Sequence, residues 1–227
     1  MPQLINLILG IRFSGKTPLI EKDNRVKFVR EVTGEEVQSP PNVSQGVRVD
    51  HKPSKTRVVL EENNLVIIVE SEDENSAKQR LFTVLNRTYG DFAYKDNSIS
   101  RIGVQTRWME AWNSSFTSLV AKYKEVFYKE NVLLSESFDV AVSFTLKDED
   151  SYKVNYVSGP MKPDQGKTLL AFGEVAFPHD FILVDIDRFS DTNLGGVNSV
   201  SEIKKMVTAS LAYGRTKAEQ TVGLLTE

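Results

Sequence analysis

Cysteine is absent from this chain of 227 residues, and only two histidines are present. Without thiols the protein has no disulfide scaffold, no thiolate metal site and no cysteine nucleophile. His51 and His179 are too few for a metal site built from several histidines, and no motif joins them to a serine and an aspartate in a hydrolase set. Most zinc sites and the common nucleophilic triads are therefore excluded.

An excess of positive charge is also missing. The 28 Lys and Arg residues are outnumbered by 31 Asp and Glu residues, which gives a formal net charge of -3. Such a chain has no overall positive field to hold a phosphate backbone, so we expect no nucleic-acid partner.

Long apolar runs are lacking as well. No segment approaches the roughly 18 apolar residues that a membrane-spanning helix needs. The apolar run at residues 4–9 is too short for a signal sequence and has no basic residues before it. We therefore expect a cytoplasmic protein with no membrane partner.

The composition that remains is that of a globular protein, with 40% hydrophobic and 26% charged residues. A chain of this length can bury a large core. We predict one domain over residues 1–227, and the alternative is a seam between two lobes near residues 129–136.

Alternating apolar and polar residues predict several β-strands. The clearest alternation covers residues 138–146, and a polar turn joins it to a second strand that begins near Tyr152. Residues 57–60 and 65–69 predict a hairpin, and residues 4–13 and 98–108 predict further strands. Apolar runs at 168–177 and 181–186 are expected to extend the C-terminal strands into a meander.

Helical spacing of apolar residues appears in three places. Residues 75–89 and 115–129 each carry an apolar stripe, and a third helix opens with the capping box of Ser199 and Glu202 and runs on past Gly214. Residues 14–55 are rich in turn formers and predict loops and short edge strands. The pattern predicts an α+β fold, with an antiparallel meander packed against about three helices, of which the C-terminal one is long.

A phosphate-loop pattern follows the first strand. Residues 10–17 match G-x-x-x-x-G-K-S/T, with Gly10, Gly15, Lys16 and Thr17 at its fixed positions. In a working loop the backbone amides cradle the phosphates, Lys16 reaches the outer phosphates and Thr17 holds magnesium. Pro18 interrupts the helix that should begin at Lys16, and the antiparallel pattern of the chain differs from the parallel sheets on which such loops occur. A nucleotide-binding enzyme is therefore an alternative hypothesis.

Two aspartates form a second pattern. Asp185 and Asp187 lie two residues apart in a predicted strand, so both carboxylates face the same way and can hold a divalent metal. With Phe172 and Gly173 before them, they resemble the nucleotidyltransferase signature, which would imply a metal-dependent transferase. The chain departs from that signature at Glu174, where the family has serine, and at Arg188, where it has an apolar residue.

The layout of the chain also resembles a sporadically distributed family of bacterial proteins of about this length. The resemblance rests on three short apolar patterns at residues 11–13, 100–104 and 183–187. It implies no known activity and transfers no catalytic residues.

Because no coherent catalytic set emerges, we expect a non-enzymatic interaction or assembly module without a cofactor. Such a module would act through a sheet face or an edge strand, either on a protein partner or on a second copy of itself. The nucleotide-binding enzyme and the metal-dependent transferase are the alternatives.

Overall fold

The computed structural model describes residues 1–15, 22–33, 46–91, 99–128, 137–150, 152–173, 175–177, 179–190 and 199–227. Its helices and strands follow one another in this order: β1 (Gln3–Phe13), α1 (Lys22–Thr33), β2 (Gly46–His51), β3 (Thr56–Glu61), β4 (Asn64–Glu70), α2 (Glu74–Asp91), β5 (Ile99–Ala111), α3 (Phe116–Phe127), β6 (Val142–Lys147), β7 (Lys153–Met161), α4 (Pro163–Lys167), β8 (Phe181–Ser190) and α5 (Val200–Thr226).

The strands form one sheet of eight in the order β2-β3-β4-β1-β5-β8-β7-β6. Every neighbouring pair is antiparallel, which confirms the predicted α+β class with its antiparallel sheet and long C-terminal helix. The order is not a simple meander, because β1 lies between β4 and β5 and β8 lies between β5 and β7. Strands that are distant in sequence therefore meet at the centre of the sheet.

Helices α1, α2, α3 and α5 pack on one face of this sheet. Helix α5 lies against β5 and β8, α2 against β4 and β1, and α3 against β7. Alternate residues of each strand point into this layer, and Leu7, Leu9 and Ile11 of β1 are almost fully buried there. The period-two pattern of the strands thus separates a buried helix-side face from a second face.

Helix α5 begins as its sequence indicates. The Ser199 side chain accepts a hydrogen bond from the amide of Glu202, and the Glu202 carboxylate accepts one from the amide of Ser199. The helix then continues without a break through Gly214 to Thr226. A Cβ atom added at Gly214 would lie 2.3 Å from Thr106 Oγ1, so this glycine lets the helix approach β5 closely.

Three predicted segments differ from the structure. Residues 168–173 form turns and bends instead of a strand, because the Glu70 carboxylate accepts the amides of Ala171 and Phe172. The strand expected from residue 138 begins only at Val142. Residues 22–33, expected to be loop, form α1, which buries Phe28, Val29 and Val32 at helical spacing.

The sheet joins strands from both sides of residues 129–136, which lie outside the described part of the chain. Whether the chain is one domain or two lobes stays a prediction. None of the described helices is both long enough and apolar enough to cross a membrane.

Candidate functional site

The sheet face opposite α2 and α5 carries many polar and charged side chains, and we call it the open face. Antiparallel register places its residues in rows that run across the strands. One row contains Gly10 opposite Gly103, and the next contains Arg12 opposite Arg101. Residues separated by most of the chain thus become neighbours.

One end of the open face is covered by residues 163–173, which we call the covering segment. It begins with α4 and lies over a second apolar cluster that includes Ile5, Phe181 and Leu183. Phe177 and Phe181 stack in this cluster with ring centroids 4.9 Å apart. The cluster explains why the apolar side chains at this end of the sheet are buried although no large helix covers them.

Polar side chains from four strands hold the covering segment. The Glu70 carboxylate of β4 accepts hydrogen bonds from the backbone amides of Ala171 and Phe172. Asn6 of β1 and Arg107 of β5 both donate to the carbonyl of Leu169, over 3.2 and 3.4 Å.

Arg57 of β3 completes these anchors by donating to the carbonyl of Ala171 at 3.4 Å. The same guanidinium pairs with Asp50, whose pKa is lowered to about 2 by hydrogen bonds from Arg57 and Arg48. Hydrogen bonds to charged side chains, as well as apolar packing, therefore hold the covering segment on the sheet.

Beyond the covering segment the open face contains a cavity of about 330 Å³, which we call the trough. Its volume is at the lower end of the range for small-molecule sites. The trough crosses four neighbouring strands and reaches Asp187 on a fifth. Its lining residues are Ile8, Gly10, Ile11, Arg12, Val59, Glu61, Asn64, Val66, Arg101, Gly103, Gln105 and Asp187.

The floor of the trough has two positions without side chains. Gly10 and Gly103 are direct partners in the β1–β5 ladder, and Val66 pairs with Gly10 from the other side. No described atom lies within 4 Å of a Cβ built on Gly10. The described residues therefore leave the backbone open at Gly10, whereas a Cβ on Gly103 would lie 3.1 Å from Phe189 Cβ and 3.3 Å from Asp187 Oδ1.

One wall of the trough is cationic. The Nε of Arg12 donates to Asn64 Oδ1 at 3.3 Å, and the Asn64 amide donates to Glu61 at 3.1 Å. Arg101 lies over the Phe189 ring at 4.2 Å and 3.7 Å from an Asp187 oxygen. Both guanidiniums are thus oriented by neighbours.

The two aspartates predicted to bind metal face the same way, as their spacing indicated. The Asp185 carboxylate accepts two hydrogen bonds from Gln105 Nε2, at 2.8 and 2.9 Å, and pairs with Arg107 Nε at 2.9 Å. It lies beside the covering segment, whereas Asp187 lies in the trough. The positive partner of Asp185 already balances its charge.

Burial raises the pKa of Asp187 above its ordinary value, and Asp185 raises it further, while Arg101 and Asn155 oppose these effects. No cluster of three or more His, Asp or Glu side chains suited to a metal ion occurs among the described residues. Metal binding by Asp185 and Asp187 stays a prediction that rests on two carboxylates.

The phosphate-loop residues are placed differently from the motif's usual arrangement. Gly10 lies inside β1, where it pairs with two strands, and Gly15 follows in a bend after the strand ends. Lys16 and Thr17 lie outside the described residues. Phosphate binding by this segment therefore stays a prediction, although Gly10 does line a cavity.

The edge of the sheet at β6 is a second candidate surface. Strand β6 pairs with β7 on one side, and none of the described strands pairs with its other side. Phe144 is 41% exposed and Leu146 is 39% exposed, although both belong to the helix-side face. Phe144 stacks on Tyr156 of β7 with ring centroids 4.5 Å apart.

Sequence reasoning did not single out Arg12, Arg101, Gly103 or Gln105 as site residues. Each is an ordinary polar residue or glycine in a strand, and only the pairing of β1 with β5 brings them together. A usable signal was the glycine near the middle of each of two predicted strands, because an interior glycine marks a bulge or a close approach.

Comparisons with known proteins add little. No protein-family model matches the sequence, and no curated protein is similar to it. Among solved structures, the Methanococcus jannaschii TBP aligns with 10% identity and a TM-score of 0.30, over 92% of this chain and 98% of that chain. A TM-score this low carries no argument about fold or function.

Proposed function

We propose that the protein is a non-enzymatic assembly module that associates with a second copy of itself through the edge strand β6. The observation that supports this most directly is the chemistry of the edge. From Val142 to Leu146 the strand has no charge and no proline, and its apolar side chains are partly exposed.

Free strand edges favour pairing with other strands, and proteins usually block them with charge, proline or a covering element. The opposite edge, β2, has this protection, since Arg48 and Asp50 form an ion pair on it and α1 packs against it. In β6 the first charged residue is Lys147, at the end of the strand. The contrast between the two edges favours β6 as the interface.

We infer an antiparallel register for a second copy at this edge. Antiparallel pairing centred on Thr145 would place Phe144 of each copy opposite Leu146 of the other, because side chains alternate along both strands. Cross-strand pairs of an aromatic and a branched apolar residue stabilise such ladders. The strand is short, so we expect a weak dimer whose population depends on concentration.

The absence of cysteine allows a direct test of the register. In a Thr145→Cys variant the two introduced thiols would lie directly opposite each other, within the distance that a disulfide needs. Mild oxidation should give a covalent dimer on a non-reducing gel. The control variant Thr216→Cys, on an exposed position of α5, should give much less dimer.

A charge in the edge should prevent association. Sedimentation velocity over a range of concentrations should show a dimer for the unchanged chain and a monomer for Phe144→Lys. The control Val157→Lys adds the same charge to an exposed position of the neighbouring strand β7 and should leave the dimer intact. The proposal would be contradicted if the protein without substitutions stayed monomeric at all concentrations.

Two contacts favour this function over the enzymatic alternatives. The Asp185 carboxylate is engaged by Arg107 and Gln105, which leaves it poorly placed to hold a metal. Gly10 donates and accepts within a sheet ladder, which differs from a loop that wraps around phosphates.

A further inference from the structure

Gly10 has no structural explanation among the described residues, whereas at Gly103 an added Cβ would lie 3.1 Å from Phe189 Cβ and 3.3 Å from Asp187 Oδ1. Glycine weakens a strand, and inside strands it usually marks a bulge, a sharp bend or the close approach of another group. The β1–β5 ladder is regular at Gly10 and Gly103, since its irregularities lie at Leu4/Asn6 and Arg12/Phe13. No described atom approaches the Cβ position of Gly10. The open space over Gly10 suits a ligand that lies on the backbone.

The arginine pair points to the charge of that ligand. Arg12 and Arg101 are directly opposite each other on adjacent strands, and like charges in such positions destabilise a sheet. Arg12 forms no ion pair with any described carboxylate, and Arg101 forms one with Asp187 at 3.7 Å. Two neighbouring guanidiniums can together hold one carboxylate or phosphate group.

The rest of the lining limits how much negative charge the trough accepts. Glu61 lies on β3, two strands from Arg12, and Asp187 lies on β8 beside Gln105. One Asp187 oxygen lies 3.3 Å from the Cβ position of Gly103 and the other 3.7 Å from Arg101. Glu61 accepts a hydrogen bond from Asn64, which in turn accepts one from Arg12. With two carboxylates beside two guanidiniums, the trough suits a single anionic group better than an extended polyanion. The apolar floor of Ile8, Val59 and Val66 suits a flat ring.

From these features we infer that the trough binds a small planar molecule with one anionic group. The ring lies over Gly10, and the anionic group lies between Arg12 and Arg101. This site is separate from the β6 edge and does not depend on self-association.

Calorimetric titration with three naphthalene derivatives tests the inference. Naphthoate and naphthyl phosphate share a planar ring and differ in the anionic group, whereas naphthamide is neutral. We expect at least one anion to bind, and naphthamide to bind at least about tenfold more weakly. The stronger of the two anions identifies whether the natural ligand carries a carboxylate or a phosphate.

Three variants locate the binding. Gly10→Val puts a side chain into the trough, where no described atom lies within 4 Å of its Cβ position. We expect it to abolish binding without lowering the midpoint of thermal unfolding. Arg12→Gln should weaken the preferred anion about tenfold. Arg48→Gln removes an open-face arginine outside the trough and should change nothing. The amide NMR signals of Gly10 and Gly103 should shift on titration.

Several outcomes would overturn the inference. These are dissociation constants weaker than about 1 mM for both anions, equal affinity for naphthamide, or full binding by a folded Gly10→Val variant.

Discussion

Two glycines of helix α5, Gly214 and Gly223, are expected to affect the stability of the protein in opposite ways. Gly214 lies over β5, where an added Cβ would be 2.3 Å from Thr106 Oγ1 and 3.0 Å from Trp108 Nε1. Gly223 lies about two and a half turns later, with no described atom within 4 Å of its Cβ position. Replacing each glycine by alanine changes helix propensity equally at both positions. The difference between the two variants therefore measures the effect of packing against β5.

We expect Gly223→Ala to stabilise the protein by about 0.5–1 kcal/mol, because alanine favours the helix and restricts the unfolded chain. Gly214→Ala gains the same amount but forces the helix away from β5, and such overpacking costs about 1–3 kcal/mol. We therefore expect a net loss of stability at position 214. Urea denaturation measures both.

A second substitution checks the cause. Thr106→Ala removes the nearest clashing atom, so the pair Gly214→Ala with Thr106→Ala should be more stable than Gly214→Ala alone. If the two substitutions simply add, the contact with Thr106 is not the reason for the loss.

Arg188 connects the β6–β7 hairpin, β8 and α5. Its side chain is 3% exposed and pairs with Asp148 and Asp150 in the turn between β6 and β7. The guanidinium also lies over Tyr152 at 4.0 Å and donates to Ser210 of α5 at 3.3 Å. It holds the β6–β7 hairpin to β8 and to the helix layer.

We expect Arg188→Met to reduce the free energy of unfolding by about 3–5 kcal/mol, because it leaves the buried Asp148 carboxylate without its partner. Asp148→Asn in the same chain should restore part of the loss. Asp150 is 71% exposed, so Asp150→Asn should cost less than about 1 kcal/mol. Equal losses for Arg188→Met and Asp150→Asn, measured by urea denaturation, would contradict this account.

The sequence predicted correctly those helices and strands that have a clear periodic pattern of apolar residues. The β3–β4 hairpin, β5, α2 and α5 are where apolar spacing and capping residues indicated them. Helix α1 was missed because only three of its described residues are buried and charged residues surround them. Residues 168–173 look like a strand, but a carboxylate from β4 binds their amides.

The candidate sites were less predictable for a related reason. Asp185 and Asp187 share a face, which spacing alone determines. Their partners do not follow from spacing, because Arg101, Gln105 and Arg107 become neighbours only through the pairing of β5 with β8. The sequence singled out Gly10 as part of a phosphate-loop pattern. Its position in the trough follows instead from its pairing with Gly103, which the sequence did not indicate.

The strand order links the two halves of the chain. β8 lies between β5 from the first half and β7 from the second, and α5 packs on both β5 and α2. Unfolding of either half would remove a hydrogen-bonded neighbour from the other. We therefore expect the described sheet and its helices to unfold in one cooperative transition, despite the alternative of a seam near residues 129–136.

Two spectroscopic signals distinguish one transition from two. The tryptophans, Trp108 and Trp112, lie on and beside β5, whereas α5 is the longest of the described helices and contributes strongly to the far-ultraviolet circular dichroism. In one cooperative unit both signals have the same urea midpoint, and Arg188→Met lowers both midpoints equally although Arg188 contacts neither tryptophan among its described partners. A tryptophan midpoint that stays in place while the helical signal moves would show that the two halves unfold separately, because the loss at Arg188 would then be confined to the half that contains it.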